Sequence, residues 1–348
     1  MSPSALSNAP KPKFAVGIPT DTIADQPMSA EDLYRYAERA EELELDGLWT
    51  FEHFFAAPPS YKYSRYDPLL ALAGVAARTK KIDIGTCVLL LPLRNPIHVA
   101  KDVATLDNLS SGRLILGVGA GWSEKEFAIS QVPLGERAPR MAESIRILKI
   151  LLSEENVSYK GRFFEFNGIT IEPRPVQTGG PPILYGGGTV DPNLYPPEYP
   201  VSTEGWRLDR VLKRIARISD GIVTSYRSFP VTSAAGAERD WDKIKRYASG
   251  YGRDASKFGR VHLSHFYISS PGDKEMAGAR KAVSNFTQGN FDYLRQMYVL
   301  GDPEEAAAIL SAWIRTSGIR YFVLNPIADY VRQIEILAKE VLPLVSVT

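Results

Sequence analysis

The sequence has few of the features that mark disulfide-stabilised, nucleic-acid-binding or membrane proteins. Its 348 residues include one cysteine, Cys87, which rules out an internal disulfide framework and predicts a reducing, cytoplasmic location. The 41 Lys and Arg residues nearly equal the 40 Asp and Glu residues, whereas nucleic-acid binding needs a clear basic excess. Apolar runs are far shorter than a membrane span. We therefore expect a small-molecule substrate, and neither nucleic acid nor membrane as a partner.

Strand-like runs alternate with amphipathic helices along residues 13–348, which we predict to form a single domain. The predicted strands lie at residues 13–18, 47–51, 82–88, 113–118, 182–185, 222–225, 260–268 and 320–324. Strict alternation implies parallel strands joined by right-handed crossovers. Eight such units favour an α/β protein of the closed (β/α)8 TIM-barrel type over an open sheet.

Several segments do not fit the alternation and are predicted to be a tail or insertions. Residues 1–12 lack the apolar core of a secretory signal and are predicted to be a disordered tail. Insertions are predicted near residues 157–171, as a hairpin, near 189–206 and near 269–301, as an irregular polar segment. Ser29 and Asn95, the latter followed by Pro96, are predicted N-caps of helices.

The pair Glu52-His53 stands where the second strand ends. In a (β/α)8 barrel the carboxyl ends of the strands form the catalytic face. His53 is one of only four histidines, and a histidine at this place is suited to proton transfer near neutral pH. We predict that His53 is a catalytic acid/base and that Glu52 tunes its charge or orientation.

Two glycine runs follow strands. In residues 117–122 the nucleotide-binding fingerprint fails because Trp122 stands where its third glycine belongs. Residues 186–189 (Gly-Gly-Gly-Thr) could form a phosphate-binding nest. For either run alone, an ordinary turn or flexible loop is an equally simple interpretation.

The remaining candidate residues favour structural roles. Cys87 has no basic neighbour in sequence and is expected to be a small buried apolar residue. His98 is expected to be structural or interfacial. His262 and His265 fall on opposite faces of one strand, which argues against a shared metal, and one of them, with Ser264, is expected to face the barrel mouth.

In combination, these motifs resemble the bacterial luciferase-like monooxygenase family. The similarity runs from about Phe14 to Pro343. It rests on the segments 52–54, 85–88, 92–96, 104–107, 111–113, 117–122, 126–127, 181–183 and 186–188.

The resemblance implies a barrel that binds reduced FMN or the deazaflavin coenzyme F-420. It implies that the cofactor ring lies on a bulge at Cys87-Val88, often with a cis peptide there, and that residues 186–189 take the phosphate. His53 matches the family's active-site histidine. The cofactor-binding residues expected on this basis are Gly85, Thr86, Cys87, Val88, Gly119, Ala120, Gly121, Trp122, Gly186, Gly187, Gly188 and Thr189.

Two functions follow from the resemblance. The first is a two-component monooxygenase that uses reduced FMN, supplied by a separate flavin reductase, and O2 on a small organic substrate. The second is an F-420-dependent oxidoreductase that transfers hydride. Glu52 stands where many deazaflavin relatives carry aspartate, which favours FMN. Ala120-Gly121 lack the arginine of luciferase and the acid of the sugar-phosphate dehydrogenases, so neither of those activities is expected. A non-catalytic flavin-binding protein is a third possibility. A homodimer is expected by resemblance.

Overall fold

The computed structural model describes residue 6 and residues 9–20, 28–54, 66–188, 208–225, 233–270, 273, 276–286 and 291–347. In this part of the chain the strands are β1 Lys13–Gly17, β2 Gly47–Thr50, β3 Asp83–Leu90, β4 Leu114–Gly119, β5 Val157–Lys160, β6 Glu165–Ile169, β7 Ile183–Gly186, β8 Gly221–Ser225, β9 Gly259–Ile268, β10 Val299–Gly301 and β11 Tyr321–Pro326. The helices are α1 Ala30–Glu42, α2 Pro68–Arg78, α3 Pro96–Leu109, α4 Glu124–Ile129, α5 Arg137–Ser153, α6 Leu208–Ile218, α7 Ala234–Gly250, α8 Ala277–Phe286, α9 Phe291–Leu294, α10 Pro303–Ser317 and α11 Tyr330–Ile336.

Eight parallel strands close into a barrel. Their order around the barrel is β1-β2-β3-β4-β7-β8-β9-β11, and β11 pairs again with β1. Closure depends on β9, which pairs with β8 through Gly221↔Gly259 and with β11 through Tyr321↔Val261. The predicted (β/α)8 barrel is thus confirmed. Each of the eight predicted strands differs from the observed one by at most two residues at either end.

Local sequence signals begin several helices where they were predicted. The Ser29 hydroxyl accepts a hydrogen bond from the Asp32 N–H over 3.1 Å and opens α1. The Asn95 carboxamide accepts from Ile97 N–H over 2.9 Å and opens α3, with Pro96 in the first turn. Each cap satisfies a backbone donor that the helix itself cannot pair.

The regions outside the repeat differ in how well they were predicted. Residues 157–171 contain the expected antiparallel hairpin of β5 and β6. The expectation of an irregular segment at 269–301 is wrong in part, because α8, α9 and β10 lie there and β10 pairs in parallel with β9. The buried face of α8 is formed by Ala279, Ala282 and Val283, small residues that give a weak apolar pattern. Residues 189–207 lie outside the described part of the chain.

Two hydrophobic cores fill the fold. The larger one lies between the barrel and its helices, and a smaller one fills the barrel interior with side chains such as Trp49, Ile115 and Val323. Leu6 belongs to the interior core and is fully buried. This placement differs from the tail predicted for residues 1–12, because one leucine in a polar segment gives no periodic signal. Within the described residues, no helix combines the length and apolar character needed to cross a membrane.

Asp83 provides a test of barrel energetics. It lies at the amino end of β3, 3.9 Å from Lys13 Nζ and 3.5 Å from the Tyr321 hydroxyl, and burial raises the pKa of its carboxyl to about 6. A raised carboxyl pKa means that the ionised form costs stability in the folded protein. The cost is absent below the unfolded pKa of about 4, grows between about pH 4 and 6, and is complete above pH 6.

We therefore expect Asp83→Asn to raise the free energy of unfolding at pH 8 by up to about 3 kcal/mol, with little gain at pH 4. Urea denaturation at the two pH values measures the effect. Asp242→Asn is the control, since Asp242 is an exposed partner of Lys245 and its loss is expected to change stability by less than about 0.5 kcal/mol. Equal destabilisation by Asp83→Asn at both pH values would contradict the assignment.

Candidate active site

His53 lies at the carboxyl end of the barrel, three residues after β2 ends at Thr50. Its side chain is 19% exposed, so the ring is largely buried and only partly accessible to solvent. The Trp122 indole approaches it edge to face, with ring centroids 6.1 Å apart and planes at 84°. Trp122 itself is half exposed. An aromatic wall therefore stands beside the histidine at the barrel mouth.

Glu126 is the carboxylate that the structure places against His53. His53 Nδ1 lies 3.4 Å from both Glu126 oxygens, and Glu126 Oε1 also accepts from the Phe54 N–H over 2.8 Å. Glu126 is buried in α4, a helix capped by the Ser123 hydroxyl. A carboxylate can only accept, so this pairing favours a proton on Nδ1 and leaves the lone pair on Nε2. The arrangement suits a ring that exchanges a proton through Nε2.

Glu52 is bound by Arg94 and by the backbone at the end of β3. Its Oε1 accepts from Arg94 Nε over 3.0 Å and from Arg94 Nη2, and its Oε2 accepts from the Leu90 N–H. Burial raises the pKa of the Glu52 carboxyl, and Arg94 opposes that rise. Glu52 thus bonds to Arg94 and to the Leu90 N–H, whereas Glu126 meets the His53 ring. That Glu52 tunes the charge or orientation of His53 stays a prediction.

The expected bulge is present in β3. The Cys87-Val88 peptide bond is cis, and the pairing of β3 with β4 shifts register between Thr86 and Leu89. The Val88 side chain is half-buried. A Cβ on Gly119 would lie 2.2 Å from Val88 Cγ2, and one on Gly186 would lie 2.8 Å from Val88 Cγ1. Both glycines therefore make room for the Val88 side chain. The sequence motif alone does not reveal this reason for a glycine at either position.

The other residues of the two glycine runs occupy different surroundings. Gly121 has a left-handed φ of 73° and packs on the Phe127 ring, while Ala120 and Trp122 are partly exposed beside it. Gly187 packs on Val211 of α6, and Gly188 has a φ of 149°. Thr189 lies outside the described residues.

Three expected cofactor ligands are buried in the barrel wall. A Cβ on Gly85 would lie 2.7 Å from the Trp49 ring, and the Thr86 hydroxyl donates to the Gly117 carbonyl over 2.7 Å. Cys87 is buried in the interior core, and burial raises the pKa of its thiol. A neutral, buried thiol is a poor nucleophile, in line with the structural role expected of it.

His262 and His265 lie on opposite faces of β9, as predicted. His262 is in the outer layer, stacked on Trp313 at 4.0 Å, and burial lowers its pKa to about 3. Ser264 shares that outer face with His262, so it does not face the barrel interior together with His265. His265 shares the inner face with Leu263 and is aligned with Asn325 on β11. Asn325, Glu126 and Arg94 are mouth residues that sequence reasoning did not select. Glu126 and Arg94 each had a signal, because they lie in the segments 126–127 and 92–96 that carry the family resemblance.

The fold and the site define an enzyme-like barrel with a histidine–carboxylate pair at its carboxyl mouth, beside a cis-peptide bulge. Residues 13–321 match the family model described as luciferase-like monooxygenase. The chain belongs to the luciferase-like monooxygenase family.

Two of the relatives to which this chain is similar are F420-dependent dehydrogenases. An F420-dependent glucose-6-phosphate dehydrogenase of Amycolatopsis mediterranei is 29% identical over 333 residues, covering 90% of this chain and 93% of the relative. Its counterpart from Kineococcus radiotolerans is 36% identical over 169 residues, 45% of this chain and 49% of the relative.

Solved structures show the same fold with two types of activity. The monooxygenase RslO1 from Streptomyces bottropensis superposes with a TM-score of 0.77 at 22% identity, covering 95% of this chain and 99% of the other. An F420-dependent secondary alcohol dehydrogenase, solved with an F420-acetone adduct, gives a TM-score of 0.77 at 20% identity, covering 97% of this chain and 99% of the other. At these identities the likeness shows the fold alone.

Proposed function

We propose that this protein is an oxidoreductase that uses the deazaflavin coenzyme F-420 to interconvert a small alcohol and the corresponding carbonyl compound. The observation that carries the proposal is the near full-length similarity to an F420-dependent dehydrogenase. This revises the expectation from sequence, which favoured reduced FMN because Glu52 replaces an aspartate. The Glu52 carboxylate binds Arg94 and the Leu90 N–H. These contacts give glutamate a packing reason at this position, in place of the shorter aspartate.

The residues at the barrel mouth fit a flat ring system. Val88 offers a half-buried apolar surface, and Gly119 and Gly186 beside it carry no side chain that could cover it. In the proposal Val88 and the residues 119–122 hold the ring, and residues 186–189 hold the phosphate. A bound deazaflavin supplies a hydride acceptor or donor at this place. The rest of the chemistry falls to His53.

His53 has the position and partners of a general base. In alcohol oxidation, where the bound cofactor would be the acceptor for the hydride of the carbinol C–H bond, His53 Nε2 would take the hydroxyl proton. Glu126 holds Nδ1 and stabilises the imidazolium that forms, because its carboxylate lies 3.4 Å away. The reverse reaction returns the same proton to the carbonyl oxygen. Trp122 and Phe54, both partly exposed next to His53, favour a substrate with an apolar part.

Sugar phosphates are candidate substrates once the surroundings of His53 are taken into account. The expectation against such substrates rested on the missing acid at Ala120-Gly121. Glu126, from the helix that follows this loop, brings a carboxylate to His53 from elsewhere in the same region. Phosphorylated sugars therefore belong in a substrate screen beside secondary alcohols.

A monooxygenase with reduced FMN is the second candidate. It is favoured by the description of the family model that residues 13–321 match, luciferase-like monooxygenase. In that case the protein would depend on a separate flavin reductase. A homodimer and a cytoplasmic location remain predictions for either candidate.

The function is tested by anaerobic titration of the purified protein with coenzyme F-420 and with FMN, each oxidised and reduced. We expect F-420 to bind at least tenfold more tightly than FMN, a difference of about 1.4 kcal/mol. Alcohols and sugar phosphates are then screened for bleaching of the oxidised deazaflavin absorbance. Tight binding of reduced FMN alone, followed by consumption of oxygen when air is admitted, would overturn the proposal in favour of the monooxygenase.

A further inference from the structure

Arg94 connects the residues on both sides of His53. Its Nε and Nη2 donate to Glu52 Oε1, and its guanidinium carbon lies 5.1 Å from the centroid of the Phe54 ring. Glu52 and Phe54 are the chain neighbours of His53. A cation over an aromatic ring and a two-donor ion pair to a carboxylate are both directional contacts. Arg94 therefore restrains the backbone that carries His53 from both sides.

The same network reaches the bulge in β3 and the start of α2. Glu52 Oε2 accepts from the N–H of Leu90, two residues after Val88. Arg94 Nη2 also donates to Asp67 Oδ2 over 2.6 Å, and Asp67 caps α2 by accepting from Leu69 N–H. The ends of β2 and β3 and the amino end of α2 are thus joined through one guanidinium and one carboxylate.

Stability alone is a weak reason for this network. The Glu52 side chain is 2% exposed and that of Arg94 is 16% exposed. Removing two charges from water is costly, and well-packed apolar replacements of buried ion pairs are often as stable. What an ion pair adds is a fixed geometry. Here the fixed geometry is that of His53 relative to Val88.

We infer that Arg94 is a positioning residue that holds His53 in place relative to the cofactor platform at Val88, acting through Glu52 and Phe54. In this role Glu52 acts on His53 through the backbone, while Glu126 acts on the ring. The inference rests on the proposed function only for the chemical role of His53. The restraint itself exists without cofactor, so it can be measured separately.

The test observes the histidine ring in the protein without cofactor. Long-range 1H–15N NMR of the 15N-histidine-labelled protein gives ring signals for its four histidines, and His53→Ala assigns those of His53. Arg94→Gln removes the charge, and Arg94→Lys keeps it but cannot hold Glu52, Asp67 and the Phe54 face together. The matched control is Arg260→Gln. Arg260 is 8% exposed, pairs with Glu238 over 3.0 Å and lies 4.8 Å from the Trp241 ring, at the opposite end of the barrel.

We expect both Arg94 variants to shift or broaden the His53 signals, and Arg260→Gln to leave them unchanged even if its melting temperature falls. With a substrate from the screen, turnover is expected to fall between tenfold and about 10²-fold in the Arg94 variants with cofactor affinity retained, because a misplacement of about 1 Å can cost that much. His53 signals identical to wild type in Arg94→Gln would overturn the inference.

A second variant guards against misfolding. If Arg94→Gln fails to fold because Glu52 is left charged and unpaired, Glu52→Gln/Arg94→Gln removes that charge. Wild-type His53 signals in the double variant would overturn the inference, and displaced signals would uphold it. Since no cofactor is present, a failure of the proposed function leaves this result intact.

Discussion

His53→Ala is expected to lower turnover by about 10²- to 10⁴-fold, the range that a positioned acid/base contributes. The reason is its geometry: Nδ1 is held by Glu126, so Nε2 is the nitrogen that can exchange a proton with the substrate. Cofactor affinity is expected to stay within a few-fold of wild type, because the proposed ring contacts come from Val88 and residues 119–122. Steady-state kinetics and a binding titration measure the two effects separately.

His98→Ala is the matched control for this substitution. His98 is an exposed residue of α3, so its loss is expected to leave turnover unchanged. A fall of less than tenfold for His53→Ala, equivalent to about 1.4 kcal/mol in the activation free energy, would remove His53 from the acid/base role.

Alanine at Gly117 is expected to destabilise the protein by about 3 kcal/mol, at the upper end of what overpacking usually costs. A Cβ there would lie 2.1 Å from the Thr86 carbonyl oxygen, which is backbone in the neighbouring strand β3. No side-chain rearrangement can relieve that contact. The free energy of unfolding from urea denaturation reports the loss, and Val88→Ala is expected to add its own cost without relieving it.

Gly119→Ala makes the same chemical change two residues later, with a different expected outcome. There the added Cβ meets the Val88 side chain, 2.2 Å from Cγ2, so Val88→Ala should recover much of the lost stability. Alone, Gly119→Ala is also expected to weaken cofactor binding, because it displaces the proposed platform. If the double variant Val88→Ala/Gly119→Ala loses as much free energy of unfolding as the two single variants lose together, the packing explanation for Gly119 is wrong.

The choice between FMN and the deazaflavin rested on one residue in the sequence. The preference for FMN rested on Glu52 in place of aspartate. In the structure both Glu52 carboxylate oxygens accept hydrogen bonds from protein groups, Arg94 and the Leu90 N–H. The identity of this residue therefore reflects these contacts and is weak evidence about the cofactor. The comparisons with relatives favour the deazaflavin, and they draw on the whole chain rather than one position.

The sequence by itself determined the barrel and the place of His53 within it. Alternating strand and helix periods, and caps such as Ser29 and Asn95, are local signals that each segment carries alone. Eight strand–helix units in a row are compatible with few topologies. In a parallel barrel the carboxyl ends of the strands form the catalytic face.

Only the tertiary structure decided which groups meet at that face. Glu126 is 73 residues from His53 in sequence, and Arg94 is 42 residues from Glu52, so no local pattern could pair them. Likewise, Gly119 and Gly186 are glycines because both strands that carry them flank the Val88 side chain. Side-chain direction after a strand and contact across strands depend on barrel closure, which brings together residues that sequence spacing keeps apart.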